Sequence, residues 1–409
     1  MKFSIISISF FIILLVTMHT FFVTAQCPTP VPIAYEHVRP GKVVAAYFGG
    51  WDKYHATYNV ENIEKVADVL THIIYAFAKP NSKTGLCELA DEWADLGANL
   101  EHRKKIGGNF GKLLKLKKKY PHLKILLSVG GGTYSKALSE IAKQGKISQF
   151  AKSVVQILER YEYVYDHSKL NNEYNHWFEY PELFDGVDLD WEWTGAVPSE
   201  DIDGYTQLLK QLSALLKRKF KKMILTTAIQ VNSKVISALD LSQVSSYVDW
   251  FNIMSYNYGG PNVSGISMNA PICNQWSDYS IDSSINSLMA MGISPAKMVL
   301  GIPLYGHVYD KTDSKLGSAF IKTEKTGAFR YNQIKDLYLD NPGCNILWHP
   351  KSHVPYAYCP EDQIFVSYDD ENSIKIKYMY SKQKRLKGVF FWRLSGDDDD
   401  HSLIRSIKE

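Results

Sequence analysis

The chain has 409 residues, 45% of them hydrophobic, which is ample for a large buried core. Its 46 basic and 43 acidic residues leave a net charge of +3, and no basic stripe interleaved with aromatics appears, which excludes a nucleic-acid binder. The cysteines show no zinc-type spacing.

In chain order, Lys2 is followed by an apolar run from Ile5 to Val23, and Val23-Thr24-Ala25 puts small residues at the usual cleavage positions. This reads as a secretory signal peptide over residues 1–25, cut after Ala25, with an uncleaved membrane anchor as the rival reading. A secreted, extracellular protein with no membrane attachment after cleavage is expected. Five cysteines then enter an oxidising compartment: Cys27, Cys87, Cys273, Cys344 and Cys359. An odd number leaves one unpaired, and Cys344 and Cys359 are spaced to close a small loop. Asn262-Val263-Ser264 is a glycosylation sequon.

Short runs rich in Val, Ile, Tyr and Phe predict strands at Val43–Trp51, His72–Lys79, Lys124–Gly131, Gly186–Trp193, Ile224–Gln230, Trp250–Tyr258, Met298–Gly306 and Gly388–Ser395. Helical periodicity fills the intervals at Glu61–Leu70, Ile147–Tyr161, Ile202–Phe220, Ser280–Met291 and Ser373–Arg385. The run Lys115–Lys119 fits the solvated face of another helix. Strands alternating with helices predict an α/β fold, and eight of them predict a (β/α)8 TIM barrel. The chain is longer than such a barrel needs. Glu162–Leu183 and a small α+β insertion at residues 308–365, between the seventh and eighth strands, absorb the surplus. The barrel domain is expected to span 26–409.

The fourth strand carries Asp188, Asp190 and Glu192 at every second position, with Leu189 and Trp191 between them. Alternate side chains of a strand face opposite sides, so three carboxylates share one face. Like charges this close are costly unless paired or protonated, which is the condition of a working site. In a barrel, working residues lie at the C-terminal ends of strands. Tyr256 and Asn257 close the sixth strand, Tyr305 the seventh and Trp392 the eighth. Carboxylates at a barrel mouth suit glycoside hydrolysis. Glu192, last on its strand, is the natural proton donor. The charge of Asp190 disfavours ionisation of Glu192, and Asp188, deeper still, is placed to share a proton with Asp190. The rival is a metal site, since D-x-D-x-E offers oxygen ligands, but no nearby His or fourth carboxylate supports it. Neither a metal nor a cofactor is expected.

The run Asp185–Glu192, DGVDLDWE, resembles the D-G-x-D-x-D-W-E signature of glycoside hydrolase family 18, the chitinases and their relatives. Further segments resemble the family in order: Tyr47-Phe48 with Trp51, Tyr75-Ala76-Phe77, Ser128-Val129-Gly130-Gly131, Met254-Ser255-Tyr256, Gly301–Gly306, Tyr368-Asp369-Asp370 and Gly388–Trp392. The resemblance covers essentially the whole mature chain. It implies a retaining, substrate-assisted hydrolysis of β-1,4-linked N-acetylglucosamine polymers, with chitin or chitooligosaccharides as partner and a monomeric enzyme. In that scheme Glu192 is the acid and base. Asp190 orients the sugar's acetamide, with Asp188 as its proton-sharing partner. Tyr256 hydrogen-bonds the acetyl oxygen and Trp392 floors the pocket. Tyr47, Phe77, Met254, Asn257, Tyr305, His307 and Trp51 contribute to substrate binding.

The chain departs from the family pattern in four places. Asn257 stands where Asp is usual, which removes a charge near Glu192 and is expected to move the pH optimum toward acid. His307 replaces the usual Arg, Gly132 replaces a common Trp with Tyr134 nearby, and Trp193-Thr194 replaces Tyr-Pro. Trp93 and Trp276 are further candidates for an open cleft. Two alternatives stay open: an endo-β-N-acetylglucosaminidase acting on N-glycans, and a chitinase-like lectin that binds without cutting.

Overall fold

The computed structural model describes residues 42–55, 58–97, 106–163, 176–274 and 279–408. The signal-peptide segment at 1–25, Cys27 and Trp276 lie outside the described residues.

Eight parallel strands form the centre: β1 (Val43–Gly49), β2 (His72–Asn81), β3 (Lys124–Gly130), β4 (Gly186–Asp190), β5 (Ile224–Gln230), β6 (Trp250–Met254), β7 (Met298–Pro303) and β8 (Gly388–Trp392). Each pairs with its sequence neighbours, and β1 pairs with both β2 and β8, so the sheet closes into a barrel. A short strand at Leu86–Leu89 adds antiparallel to β2 outside the ring. Every residue of β1, β4 and β7 is buried. Strands covered on both faces read as continuous apolar runs, which is why these segments stand out in the sequence.

The helical layer packs outside. The longest helix, Ser199–Lys219, buries Leu208, Leu209, Leu212 and Leu216. Glu200 and Asp201 lie in its first turn and Lys217–Lys219 in its last, each sign complementing the helix dipole. The lysine-rich run ends the helix Gly108–Lys119. Leu116 is buried there, Lys117 pairs with Asp185 at 2.7 Å, and Lys119 pairs with Glu64 at 2.5 Å. Residues Glu61–Leu70 do not form the predicted α-helix. A 3₁₀ helix covers Val60–Lys65, followed by a turn that buries Val66, Ala67 and Leu70. The β-branched residues Val60, Ile63, Val66 and Val69 favour packing over a regular helix. The helix predicted to Tyr161 ends at Ile157, and Arg160–Tyr163 pairs with His176–Glu179 as a two-stranded sheet.

The insertion between β7 and β8 is a five-stranded antiparallel sheet, ordered Gly327–Arg330, Tyr305–Tyr309, Ile364–Ser367, Val354–Cys359 and Asn345–His349. Helical segments Tyr331–Ile334 and Lys335–Leu339 pack beside it. The sheet starts at Tyr305, earlier than the predicted 308. The Leu304 N–H bonds the Trp392 carbonyl at 2.8 Å, and the chain then leaves the barrel. Cys344 and Cys359 form the expected disulfide, closing a 15-residue separation, and Cys87 is a buried free thiol. No helix among the described residues is long and apolar enough to cross a membrane.

Candidate active site

Glycines let β3 and β4 approach closely at the mouth. Gly130 has φ +112°, and a Cβ there would lie 2.2 Å from the Asp190 carbonyl oxygen. Gly131 has φ +82°, and its Cβ would lie 2.6 Å from the Phe77 ring. Only glycine meets both the backbone angle and the space. Asp185, before β4, faces the other end, where it accepts from the Ile125 N–H at 2.9 Å.

Asp188 and Asp190 lie on β4, but the strand ends at Asp190. Glu192 is two residues beyond it, so the predicted strand to Trp193 is too long. The Glu192 N–H is turned into a side-chain bond instead, donating to Ser135 Oγ at 2.7 Å. The Trp193 N–H likewise donates to Gln230 Oε1 at 2.7 Å. Trp191 faces the helical layer, stacked on Trp193 with ring centroids 5.5 Å apart.

Asp188 is fully buried and accepts four hydrogen bonds. Tyr47 Oη and Ser128 Oγ each donate to Oδ2 at 2.8 Å. Thr226 Oγ1 and Asn252 Nδ2 donate to Oδ1 at 2.6 and 3.0 Å. Ser128, Asp188 and Thr226 share one register line across β3, β4 and β5. Burial raises the Asp188 carboxyl from its ordinary value, and the donors from Thr226, Ser128, Tyr47 and Asn252 oppose that rise. Four donors fill the acceptor capacity of an ionised carboxylate.

Asp190 has the opposite surroundings. It is buried, and its Oδ1 has no hydrogen-bond partner. Burial, then the charges of Glu192 and Asp188, raise its carboxyl well above the ordinary range. Burial also raises Glu192, opposed by the Gly132 N–H at its carboxylate. A carboxyl raised from its ordinary value is shifted in the direction that proton donation needs. No group of three or more His, Cys, Asp or Glu among the described residues could hold a metal ion.

Aromatic side chains surround these acids. Tyr47, Phe77 and Tyr256 belong to one apolar cluster inside the barrel, with Trp51, Met254, Tyr305 and Trp392 packed against it. Trp392 stacks on Phe77 at 6.1 Å and meets Tyr47 edge-on at 5.2 Å. Trp51 stacks on the other side of the row, 5.8 Å from Phe77. Tyr256 and Asn257 lie beyond the end of β6 at Met254, and Tyr305 opens the inserted sheet, so none of the three is a barrel-strand residue as predicted. A cleft of about 730 Å³ between mouth and insertion is lined by Trp392, Tyr305, His307 and Asn257. A second space of about 370 Å³ joins Glu192, Met254, Tyr256 and Asn257. Trp93 is exposed and stacks with Tyr54 at 5.9 Å rather than on this cluster.

Two departures from the family pattern touch each other. His307 Nε2 lies within hydrogen-bond distance of Asn257 Oδ1, at 3.0 Å, and Tyr305 Oη donates to the same oxygen at 2.7 Å. Burial lowers the His307 imidazole to about 4, so it is neutral at physiological pH. Ser128 apart, which the S-x-G-G motif contains, the donors Thr226 and Asn252 and the anchor Ser135 were not legible as site residues. The one signal for Thr226 and Asn252 is a polar residue at an inward position of an otherwise apolar strand, as in ILTTAIQ and WFNIM.

Chitinase A1 of Niallia circulans is 29% identical over 416 residues, covering 87% of this chain and 56% of that relative. Probable chitinase 2 of Drosophila melanogaster is 30% identical, covering 87% of this chain and 72% of that protein. The chain thus spans little more than half the length of the bacterial relative. Among solved structures, chitinase ChiA74 from Bacillus thuringiensis superposes with a TM-score of 0.76 at 27% identity, covering 90% of this chain and 70% of that one. The match to Glycosyl hydrolases family 18 runs from the first barrel strand to just past the last, residues 43–397, and this chain belongs to that family.

Proposed function

We propose that the protein is a secreted chitinase that hydrolyses β-1,4 linkages of N-acetylglucosamine polymers with retention of configuration. The observation that carries the reading is the contrast along one chain segment: Asp188 saturated with donors, Asp190 buried with an orphaned oxygen, and Glu192 raised at the cleft. Relatives named as chitinases support the substrate class.

In this reading the sugar lies over Trp392 with its acetamide against Asp190 and Tyr256. Glu192 donates its proton to the glycosidic oxygen as the bond to the anomeric carbon breaks. The acetamide carbonyl oxygen of the same sugar forms the new bond to that carbon, and its attack is intramolecular. The cyclic oxazolinium carries positive charge at nitrogen. Asp190, hydrogen-bonded to that N–H through its carboxylate, stabilises it. Tyr256 holds the acetyl oxygen. Glu192, now ionised, takes a proton from water as the water opens the ring at the anomeric carbon. Two inversions at one carbon give retention.

We also infer that residues 1–25 are a cleaved signal peptide and that the mature chain is a monomer. N-terminal sequencing and light scattering of the exported protein test these points. The central test is incubation with N-acetylglucosamine hexamer, with a high-mannose glycoprotein as the second substrate. Cleavage of the hexamer alone supports the proposal. Cleavage of the glycoprotein alone makes the protein an endo-β-N-acetylglucosaminidase, and binding without cleavage makes it a lectin.

A further inference from the structure

The sequon Asn262-Val263-Ser264 has no part in the reaction, yet folding places it on the wall of the cleft. Pro261 and Asn262 are the central residues of a turn, in which the Val263 N–H donates to the Gly260 carbonyl at 3.1 Å. Proline presets φ at the first central position, and asparagine is a favoured turn residue. All three sequon residues are exposed. Asn262 and Val263 line the larger space, of about 730 Å³, with Trp392 and Tyr305. Val263 also lines the smaller space that holds Glu192.

The turn is anchored at both ends. A Cβ on Gly260 would lie 3.2 Å from His307 Nε2, so the turn enters against a buried side chain of the inserted sheet. Beyond the sequon, the Ile266 N–H donates to the Ser318 carbonyl at 2.8 Å, and the Gly317 N–H donates to the Ile266 carbonyl at 2.9 Å. A group carried on Asn262 is therefore held at the cleft by a fixed support. Lys322 Nζ, which can only donate, lies 3.5 Å from Asn262 Oδ1. That contact engages the oxygen and not Nδ2, the atom to which an N-linked sugar is joined.

We propose that Asn262 is an N-glycosylation site, and that its glycan narrows the larger space and limits the length of sugar polymer the cleft admits. The transfer forms a bond from Nδ2 to the anomeric carbon of a pyrophosphate-linked oligosaccharide donor. Nδ2 loses one proton and the pyrophosphate carrier departs. A bulky glycan at this rim competes for room with ligand units that extend beyond the sugar over Trp392. A short ligand leaves it that room and a long one does not, so the effect depends on ligand length. The inference rests on the proposed export of the chain and on its proposed glycan binding.

The test uses the full chain exported from a eukaryotic cell, with Asn262→Gln and Ser264→Ala as variants that remove the sequon through different side chains. Peptide mass mapping before and after enzymatic release of N-glycans reads position 262. The parent is expected to carry a glycan there and both variants none. In a Glu192→Gln background, calorimetric titration with N-acetylglucosamine dimer and hexamer then reads the effect. Both sequon variants are expected to bind the hexamer several-fold more tightly than the glycosylated parent and the dimer equally well. The same proteins exported from a bacterium without N-glycosylation should not differ. An unmodified Asn262, a hexamer affinity indifferent to the sequon, a difference that persists in the bacterial proteins, or no binding of either ligand would overturn the proposal. Hydrolysis by the Glu192-containing parent is measured alongside. Length-dependent binding without hydrolysis would remove the glycosidase reading and leave the role of Asn262 standing.

Discussion

Tyr47 Oη donates to Asp188 Oδ2 at 2.8 Å, joining the first and fourth barrel strands across 141 residues of sequence. The contact is fully buried, so its loss leaves a carboxylate oxygen with Ser128 as its remaining donor. Tyr47→Phe is expected to destabilise the fold by about 1–3 kcal/mol, the usual cost of an under-satisfied buried polar group. Combined with Ser128→Ala, the two losses should not add, because both donors serve one oxygen. Denaturant unfolding of the two single variants and the double variant measures this, and strict additivity would contradict the shared role.

Glu192→Gln keeps the shape of the acid and removes its proton. Turnover of N-acetylglucosamine hexamer should fall at least about 100-fold, with binding retained, because the proton is needed in the transition state. Steady-state kinetics beside calorimetry separates the two effects. Retained turnover would remove Glu192 from its assigned role.

Asp190 gives a stability test with a defined sign. Its folded carboxyl is raised well above the ordinary value, first by burial and then by Glu192 and Asp188. Between the ordinary carboxylate range and that raised value the folded state holds a proton that the unfolded state has released, so stability falls as pH rises through the window. Asp190→Asn abolishes this titration. The variant should melt above the parent near neutrality, and the difference should shrink toward about pH 4. Thermal melts across pH check it, and a pH-independent difference refutes it.

His307 works in the other direction. Burial lowers its imidazole from 6.5 to about 4, so over that interval the unfolded state binds a proton that the folded state does not. Stability is therefore lost as pH falls through the same interval. A carboxylate at position 257 would face the ring and favour its charged form. Asn257→Asp should accordingly lose less stability than the parent between pH 6.5 and 4. The same new charge should raise the acid limb of activity through Glu192. Melting curves and pH–rate profiles of the one variant test both effects, and unchanged curves would show that 257 couples to neither group.

The Cys344–Cys359 bridge closes a loop of 15-residue separation within the inserted sheet. Loop-closure entropy of that length stabilises by about 3 kcal/mol. Replacing both cysteines by serine should lower the melting temperature. A variant as stable as its parent would show that the sheet does not depend on the bridge.

By itself the sequence determined the barrel, because strands covered on both faces must be continuously apolar and helices around them must repeat every third or fourth residue. It also marked Asp188, Asp190 and Glu192 as the candidate site, since three carboxylates alternate in one run. What only the tertiary structure decided is how those acids differ. Tyr47, Ser128, Thr226 and Asn252 come from four separate strands, and only barrel closure brings their donors to Asp188 while leaving Asp190 without one. The strand's end at Asp190 was hidden for a similar reason, because Ser135, at the start of the helix Ser135–Lys143, takes the hydrogen bond that continued pairing would have used. Asn257 and His307 read as two unrelated departures until folding placed them 3.0 Å apart as one neutral pair. Alternation and periodicity are local and survive in a linear string. Desolvation and hydrogen-bond satisfaction depend on neighbours from distant strands, and those exist only once the chain has closed.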